Sequence, residues 1–335
     1  MIWIVGSGGM LGRELAEVCA ARGIEALGSD RELDFTDLPA LEAFAAAQWP
    51  AGGTRVDALR EGELRGGEPR EGGLREGGLR EGETRGGAAR AGANALSWIV
   101  NCAAYTAVDK AESEPELARS LNVEGPRNLA RLAARRGARL VHLSTDYVFD
   151  GKGTRPYLES DELGPTGVYG ATKAEGERVV FEECPSALVL RTAWLYGRHG
   201  PNFVRSMLRL MAERESLGVV ADQRGTPTWA FDLAGAIADI VSRISAEAGV
   251  YQYTDAGETT WYDFAREILR LGREAGLLKR DCELKPLTTA EYPTPARRPA
   301  YSVLSKDKIA RVFGIVPPRW EESLAKYIAG IAAVP

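Results

Sequence analysis

Residues 2–12, IWIVGSGGMLG, decide how the rest of the chain is read. Ile2 to Val5 is a short apolar run closed by glycines, as a first buried strand would be. Residues 10–22 follow with apolar side chains at Leu11, Leu15, Val18 and Cys19, which is the spacing of one helical face. Gly6, Gly9 and Gly12 mark the turn between strand and helix. Leu11 stands where the common dinucleotide fingerprint has its third glycine, so the pattern is the GxxGxxG variant. Glycines here bring the main chain close to a pyrophosphate at a helix N-terminus, whose free N–H groups and dipole favour an anion. A plain tight turn would use the same residues; the strand before and the helix after lift the motif above that reading.

Working outward, strands and helices alternate. Residues 24–27, 96–102, 139–143 and 187–190 read as strands, and 38–47, 115–136, 168–183 and 201–214 as helices. That alternation predicts parallel βαβ units in a Rossmann-type doubly wound sheet. The strands before residue 192 are nearly continuous apolar runs, as in a sheet covered on both faces. The last third is mixed: 229–244, 261–271 and 320–329 are helical and 250–253 extended. The expected division is a dinucleotide-binding domain over 1–192 and a smaller mixed α/β substrate domain over 193–335, with some chain crossing between them.

A repetitive insertion interrupts the first domain over 52–94. From Ala58 it divides into seven pentads, ALREG, ELRGG, EPREG, GLREG, GLREG, ETRGG and AARAG, holding 11 of the 38 glycines. Seven arginines oppose seven glutamates, so the stretch is neutral. A disordered polyampholyte loop is the favoured reading, because so few apolar side chains cannot offset the entropy of ordering glycines. A pentapeptide β-helix and an RNA-binding arginine–glycine arm remain as alternatives. Against them stand Pro69, Thr84 and Ala89 at the leucine position, and the glutamates that cancel the attraction to phosphate.

The remaining composition excludes more than it asserts. A net charge of −5 over 335 residues offers no basic field for nucleic acid. Cys19, Cys102, Cys184 and Cys282 form no CxxC pair and suit reduced thiols in a cytoplasmic protein. With only two histidines, His142 and His199, a histidine-rich metal site or a Ser–His–Asp hydrolase is a poor fit, and His142 reads as a buried strand residue. No run of eighteen apolar residues occurs, so no membrane span is expected.

The chemistry concentrates around Tyr169 and Lys173, four apart on one helical face. A phenol is a poor acid–base catalyst at neutral pH, and an adjacent ammonium would lower its pKa. A tyrosine packed on a solvated lysine would look the same in isolation. The context adds weight: residues 144–151, STDYVFDG, form a polar cluster at the carboxyl end of a strand, the edge where open α/β sheets bind ligands. A Ser or Thr hydroxyl there could hold a substrate carbonyl while the tyrosine protonates it.

GSGGMLG, NCAAYTAVDKAESEP (101–115), LSTDYVFDG (143–151), VYGATKAEGE (168–177), RTAWLYG (191–197), DQRGTPTWA (222–230) and ARRPAYSVL (296–304) occur in this order. Together they resemble the dTDP-4-dehydrorhamnose reductases, an extended branch of the short-chain dehydrogenases/reductases, over the whole chain outside the insertion. The resemblance implies NADPH- or NADH-dependent reduction of the C4 keto group of a dTDP-linked keto-sugar, in cell-surface polysaccharide biosynthesis. It places Tyr169, Lys173 and Thr145 as the catalytic set. Gly6, Gly9, Met10, Leu11 and Gly12 would take the cofactor pyrophosphate, Asp34 and Phe35 the adenine, and Asp30 the adenosine ribose. Ala104, Tyr105 and Thr106 would line the nicotinamide side, and Leu143 would also meet the cofactor. Asp146, Trp194, Arg224 and Arg298 would meet the sugar nucleotide, although a solvated arginine explains Arg224, Arg297 or Arg298 equally well. Asp30 suits the free 2′-hydroxyl of NADH and Arg31 the 2′-phosphate of NADPH, so the preference stays open. The resemblance also brings a homodimer, linked in the family by Mg2+ at its interface. The alternatives are a reductase or epimerase of another nucleotide-linked keto-sugar, and a non-catalytic regulatory subunit on the same fold.

Overall fold

A computed structural model of the chain describes residues 1–49, 96–243 and 246–333. The expected insertion over 52–94 lies outside the described residues.

The chain opens with β1 (Ile2–Val5), α1 (Met10–Ala21), β2 (Ala26–Ser29) and α2 (Leu38–Gln48). Next come β3 (Trp98–Asn101), α3 (Val108–Ala111), α4 (Pro115–Arg119), α5 (Gly125–Arg136), β4 (Arg139–Thr145), α6 (Val168–Glu183) and β5 (Leu188–Thr192). The remainder comprises β6 (Leu195–Tyr196), α7 (Phe203–Glu213), β7 (Ser216–Val220), β8 (Arg224–Gly225), β9 (Thr228–Trp229) and α8 (Ala230–Val241). It ends with β10 (Gly249–Gln252), β11 (Thr259–Thr260), α9 (Trp261–Glu274), β12 (Glu283–Leu287), α10 (Asp307–Phe313) and α11 (Trp320–Ala332).

Six strands form one parallel sheet in the order β10-β5-β4-β3-β1-β2. The order reverses between β1 and β3, and the crevice outside strand carboxyl ends at such a reversal is the ligand site of open α/β sheets. Side-chain alternation explains why these strands read as unbroken apolar runs. Ile2, Ile4, Trp98, Val100 and Leu188 face a core shared with α1 and α8. Trp3, Val5, Ile99 and Val189 face the opposite core, shared with α2 and α5. Both faces are therefore largely apolar, with His142 in mid-strand on β4 as a buried polar exception.

Residues beyond 192 return to this sheet. β10 pairs with β5, and α8 lies against α1. A separate apolar cluster joins α7, α9 and α11 beside the small β7–β12 sheet.

One expected helix is broken. In place of a continuous 115–136, a five-residue π-helical turn, Ser120–Glu124, separates α4 from α5. Pro126 has no N–H to give to the carbonyl four residues back, so the Asn122 carbonyl leaves the helical ladder. That oxygen faces α6, where a Cβ on Gly176 would lie 2.2 Å from it. Glycine at 176 lets the two helices meet there.

Candidate active site

A cleft of about 1140 Å³ opens at the carboxyl ends of β1, β3 and β4. Its first wall is the turn between β1 and α1. Gly6 has φ +78°, a left-handed conformation, and a Cβ there would come 2.7 Å from the Ala103 nitrogen. A Cβ on Gly12 would lie 2.2 Å from the Gly6 carbonyl oxygen, so Gly12 serves helix–turn packing and does not line the cleft. Gly9 is the N-cap of α1 and has no side chain to satisfy the helix's first N–H groups. This uncapped N-terminus, bordered by Gly6, Met10 and Leu11, is a cradle suited to a pyrophosphate. Asp30 folds over the turn, with its carboxylate where a Cβ on Gly8 would be, and Arg31, Asp34 and Phe35 continue the rim.

The opposite wall is buried and polar. Tyr169 and Lys173 rise from α6, Thr145 and Asp146 end β4, and Leu143 lies between. Lys173 is 2% exposed and its Nζ donates to the Leu143 carbonyl at 2.5 Å. Burial pulls its ammonium down to about 8, with the Glu177 charge pulling back. The expected lowering of the Tyr169 pKa is corrected: burial pushes the phenol above its ordinary value, helped by Asp146 and Tyr147, and only the nearby Thr145 hydroxyl opposes it. Desolvating a phenolate is the largest cause, and the lysine, bound to a backbone carbonyl, exerts no resolved pull on the phenol. Tyr169 is therefore a protonated phenol.

Thr145 Oγ1 accepts the Tyr147 N–H at 3.2 Å and donates to Asp146 Oδ1 at 2.9 Å. The other Asp146 oxygen has no partner, although the residue is 2% exposed. Burial raises this carboxyl to about 6. Ser302 Oγ lies near enough to pull it back somewhat, though outside hydrogen-bonding geometry. Beneath the wall, Glu177 accepts from Ser144 at 2.5 Å and pairs with Arg191 at 2.7 Å, both charges being buried.

Trp194 closes the far end. It is the one non-glycine residue with positive φ, 47°, among the described residues. Its ring stacks on Trp261 at 3.5 Å and 11°, and a Cβ on Gly225 would meet its other side at 2.6 Å. Ala104 and Thr106 line the cleft, whereas the Tyr105 hydroxyl turns away to Glu114. Two arginines stand back from the wall. Arg224 pairs with Glu258 on the surface. Arg298 pairs with Asp109 at 2.6 Å and donates to Tyr147 OH at 3.3 Å, and Tyr147 meets the Tyr169 ring edge-on. Asp109 and Tyr147 were missed in the sequence: Asp109 matters through a partner 189 residues away.

For a divalent cation the described residues bring together Glu14, Glu17 and His199. Arg198 already lies across both carboxylates, at 2.7 Å from Glu14 and 2.6 Å from Glu17. One guanidinium thus cancels one of the two charges and occupies an oxygen of each carboxylate, so the group does not fit a resident metal. A smaller cavity of about 700 Å³ beside it, between α1 and α8, holds none of the catalytic residues.

The family description "RmlD substrate binding domain" matches residues 88–332. A dTDP-4-dehydrorhamnose reductase of Streptomyces griseus is 40% identical over 332 residues, 97% of this chain and 92% of that one. A Streptomyces antibioticus protein named "Probable dTDP-4,6-dihydroxy-2-methyloxan-3-one 4-ketoreductase" is 47% identical over 237 residues, covering 70% of this chain and 78% of that one. The Bacillus anthracis dTDP-4-dehydrorhamnose reductase solved in complex with NADP superposes with a TM-score of 0.79 at 30% identity, covering 98% of each chain. With its cleft assembled as described and these relatives matched along its length, the chain belongs to the dTDP-4-dehydrorhamnose reductase family.

Proposed function

We propose that this protein reduces the C4 keto group of dTDP-4-dehydro-L-rhamnose to give dTDP-L-rhamnose, using NADPH or NADH. The observation that carries the reading is a protonated, half-buried Tyr169 in one cleft with Lys173, Thr145 and the uncapped glycine turn. Reduction of a ketone needs a proton donor beside the carbonyl oxygen, and a phenol that keeps its proton is that donor.

The cradle of Gly6, Gly9, Met10 and Leu11 would hold the cofactor pyrophosphate, Asp30 its ribose, and Asp34 and Phe35 its adenine. When bound, the nicotinamide supplies the hydride. Thr145 orients the carbonyl oxygen, and Tyr169 gives up its proton to that oxygen as charge develops. Lys173, one helical turn away, holds the cofactor ribose and steadies the phenolate left behind. Asp146 offers its unpartnered oxygen to a sugar hydroxyl. Trp194 bounds the sugar, and Arg298 steadies Tyr147 behind the tyrosine.

The test is turnover of purified protein with dTDP-4-dehydro-L-rhamnose and each reduced cofactor, with a GDP-linked 4-keto-sugar as control. Formation of dTDP-L-rhamnose with little turnover of the control is expected; comparable turnover of both would overturn the nucleotide assignment. The S. antibioticus relative favours a second reading, the 4-keto group of another dTDP-sugar. A higher kcat/KM on such a sugar in the same assay would establish it.

A further inference from the structure

His142 sits on β4 with no exposed surface, next to Leu143 of the cleft wall, and the roles above leave it unused. Its ring bridges two elements. Nδ1 is 3.0 Å from Asn101 Nδ2 on β3, and Nε2 is 3.4 Å from Lys173 Nζ on α6. Asn101 is fixed in turn, because its Oδ1 accepts the Ala103 N–H at 3.0 Å. An amide nitrogen can only donate, so His142 Nδ1 accepts, and the network assigns the proton of the neutral ring to Nε2. Burial and the Lys173 charge hold the imidazolium form well below its ordinary range, so the ring is neutral near pH 7. An N–H is thus turned on the lysine nitrogen.

Along α6, Lys173 has Tyr169 one turn back and Glu177 one turn on, and its Nζ bonds the Leu143 carbonyl; the Asn122 carbonyl and His142 Nε2 both border Gly176 nearby. The Glu177 carboxylate is already shared between Ser144 and Arg191. An ammonium has three protons to place, and from His142 it meets another donor. A neutral amine can instead accept the Nε2–H with its lone pair. The imidazole therefore prefers the lysine without its extra proton.

We propose that His142, its tautomer set by Asn101, is a positioning residue that loosens the proton on Lys173, making the lysine a proton reserve for Tyr169 and not a fixed cation. This rests on the reductase reading above. The Tyr169 O–H bond breaks as its proton passes to the former carbonyl oxygen. A proton released from a Lys173 N–H bond restores the phenol within the cleft. The amine left behind accepts the hydrogen bond of His142 and regains its proton from solvent.

The test reads the basic limb of two pH profiles, the NADPH dissociation constant followed by NADPH fluorescence and kcat, in native protein and variants. In Asn101→Asp the carboxylate accepts both the Ala103 N–H and a proton on Nδ1, which turns the Nε2 lone pair toward an ammonium. Its limb should rise by about one pH unit or more, roughly tenfold in proton affinity. His142→Leu removes the donor and should raise the limb by about half a unit. In the double variant the rise should fall back to that of His142→Leu. An unmoved limb in Asn101→Asp, or an equal rise in the double variant, overturns the proposal. If circular dichroism shows that Asn101→Asp does not fold, His142→Leu decides: a raised limb supports the proposal and an unmoved one overturns it. NADPH binding requires no sugar, so failure of the sugar assignment leaves this result readable.

Discussion

On the glycine-turn wall the chain makes its site from backbone shape: a left-handed Gly6, an uncapped helix end, and a helix brought against the turn by Gly12. On the facing wall it uses buried and half-buried side chains whose ionisation is displaced, Tyr169 and Asp146 upward and Lys173 downward. The first wall holds a ligand by leaving room and free N–H groups. The second moves protons because it has excluded water. Damage should therefore look different on the two sides, nearly independent of pH on the first and strongly dependent on it on the second.

The largest effect should come from Tyr169→Phe, which removes the proton donor and leaves the glycine turn alone. We expect kcat to fall by roughly 10²–10⁴, with the NADPH dissociation constant changed only a few-fold. Unchanged turnover would break the assignment of the second wall. Next, Gly6→Ala strains the first wall, through positive φ and the approach to Ala103. It should cost on the order of 1–3 kcal/mol of stability and weaken NADPH binding at every pH tested. A loss that grows toward high or low pH would blur the distinction between the walls.

Asp146→Asn should act with a sign that depends on pH. The folded carboxyl is raised to about 6 from an ordinary 3.8, so between those values the folded protein holds the extra proton. Its contribution is most favourable below about pH 4 and is lost as pH rises through about 6. Asparagine, always neutral, should therefore raise the melting temperature more at pH 7.5 than at pH 4.5, by an amount equivalent to roughly 1–3 kcal/mol. The acid limb of kcat/KM near pH 6 should disappear with it. Equal melting shifts at both pH values would show that this carboxyl is not displaced.

The smallest effect should follow removal of residues 58–92. The described chain leaves off at Trp49 and resumes at Leu96, and Ser97 bonds to the carbonyl of Met1 at the amino end of the sheet. Four strand residues, roughly 13 Å, separate that end from the cleft. Kinetic constants within about two-fold of the native values are expected; abolished turnover in a folded deletion would place the insertion's effect at the cleft.

Legibility followed sequence distance and period. The βαβ order, the glycine turn and the helix carrying Tyr169 and Lys173 could be read because each is a local pattern of apolar spacing. The break at Ser120–Glu124 was hidden because its cause, Pro126, acts four residues back while the apolar spacing continues through it. The β7–β12 pair could not be read from SLGVV and ELKPL, where Gly218 and Pro286 interrupt any strand signal and the pairing itself makes the strands. The direction of the Tyr169 shift was misread because a sequence shows the neighbouring lysine but not the desolvation that governs the phenol. The Asn101–His142–Lys173 contact joins three elements and leaves no local spacing to find.

Trp194 and Trp261 have a consequence of another kind. Two indoles held face to face at 3.5 Å and 11° couple their electronic transitions, which gives the cleft an optical signature of its own. The strained φ of Trp194 and the contact with Gly225 fix that pair where Trp194 lines the cleft. A ligand that shifts either ring changes the exciton band of the pair in circular dichroism, so its arrival beside Trp194 can be timed without following the nicotinamide absorbance.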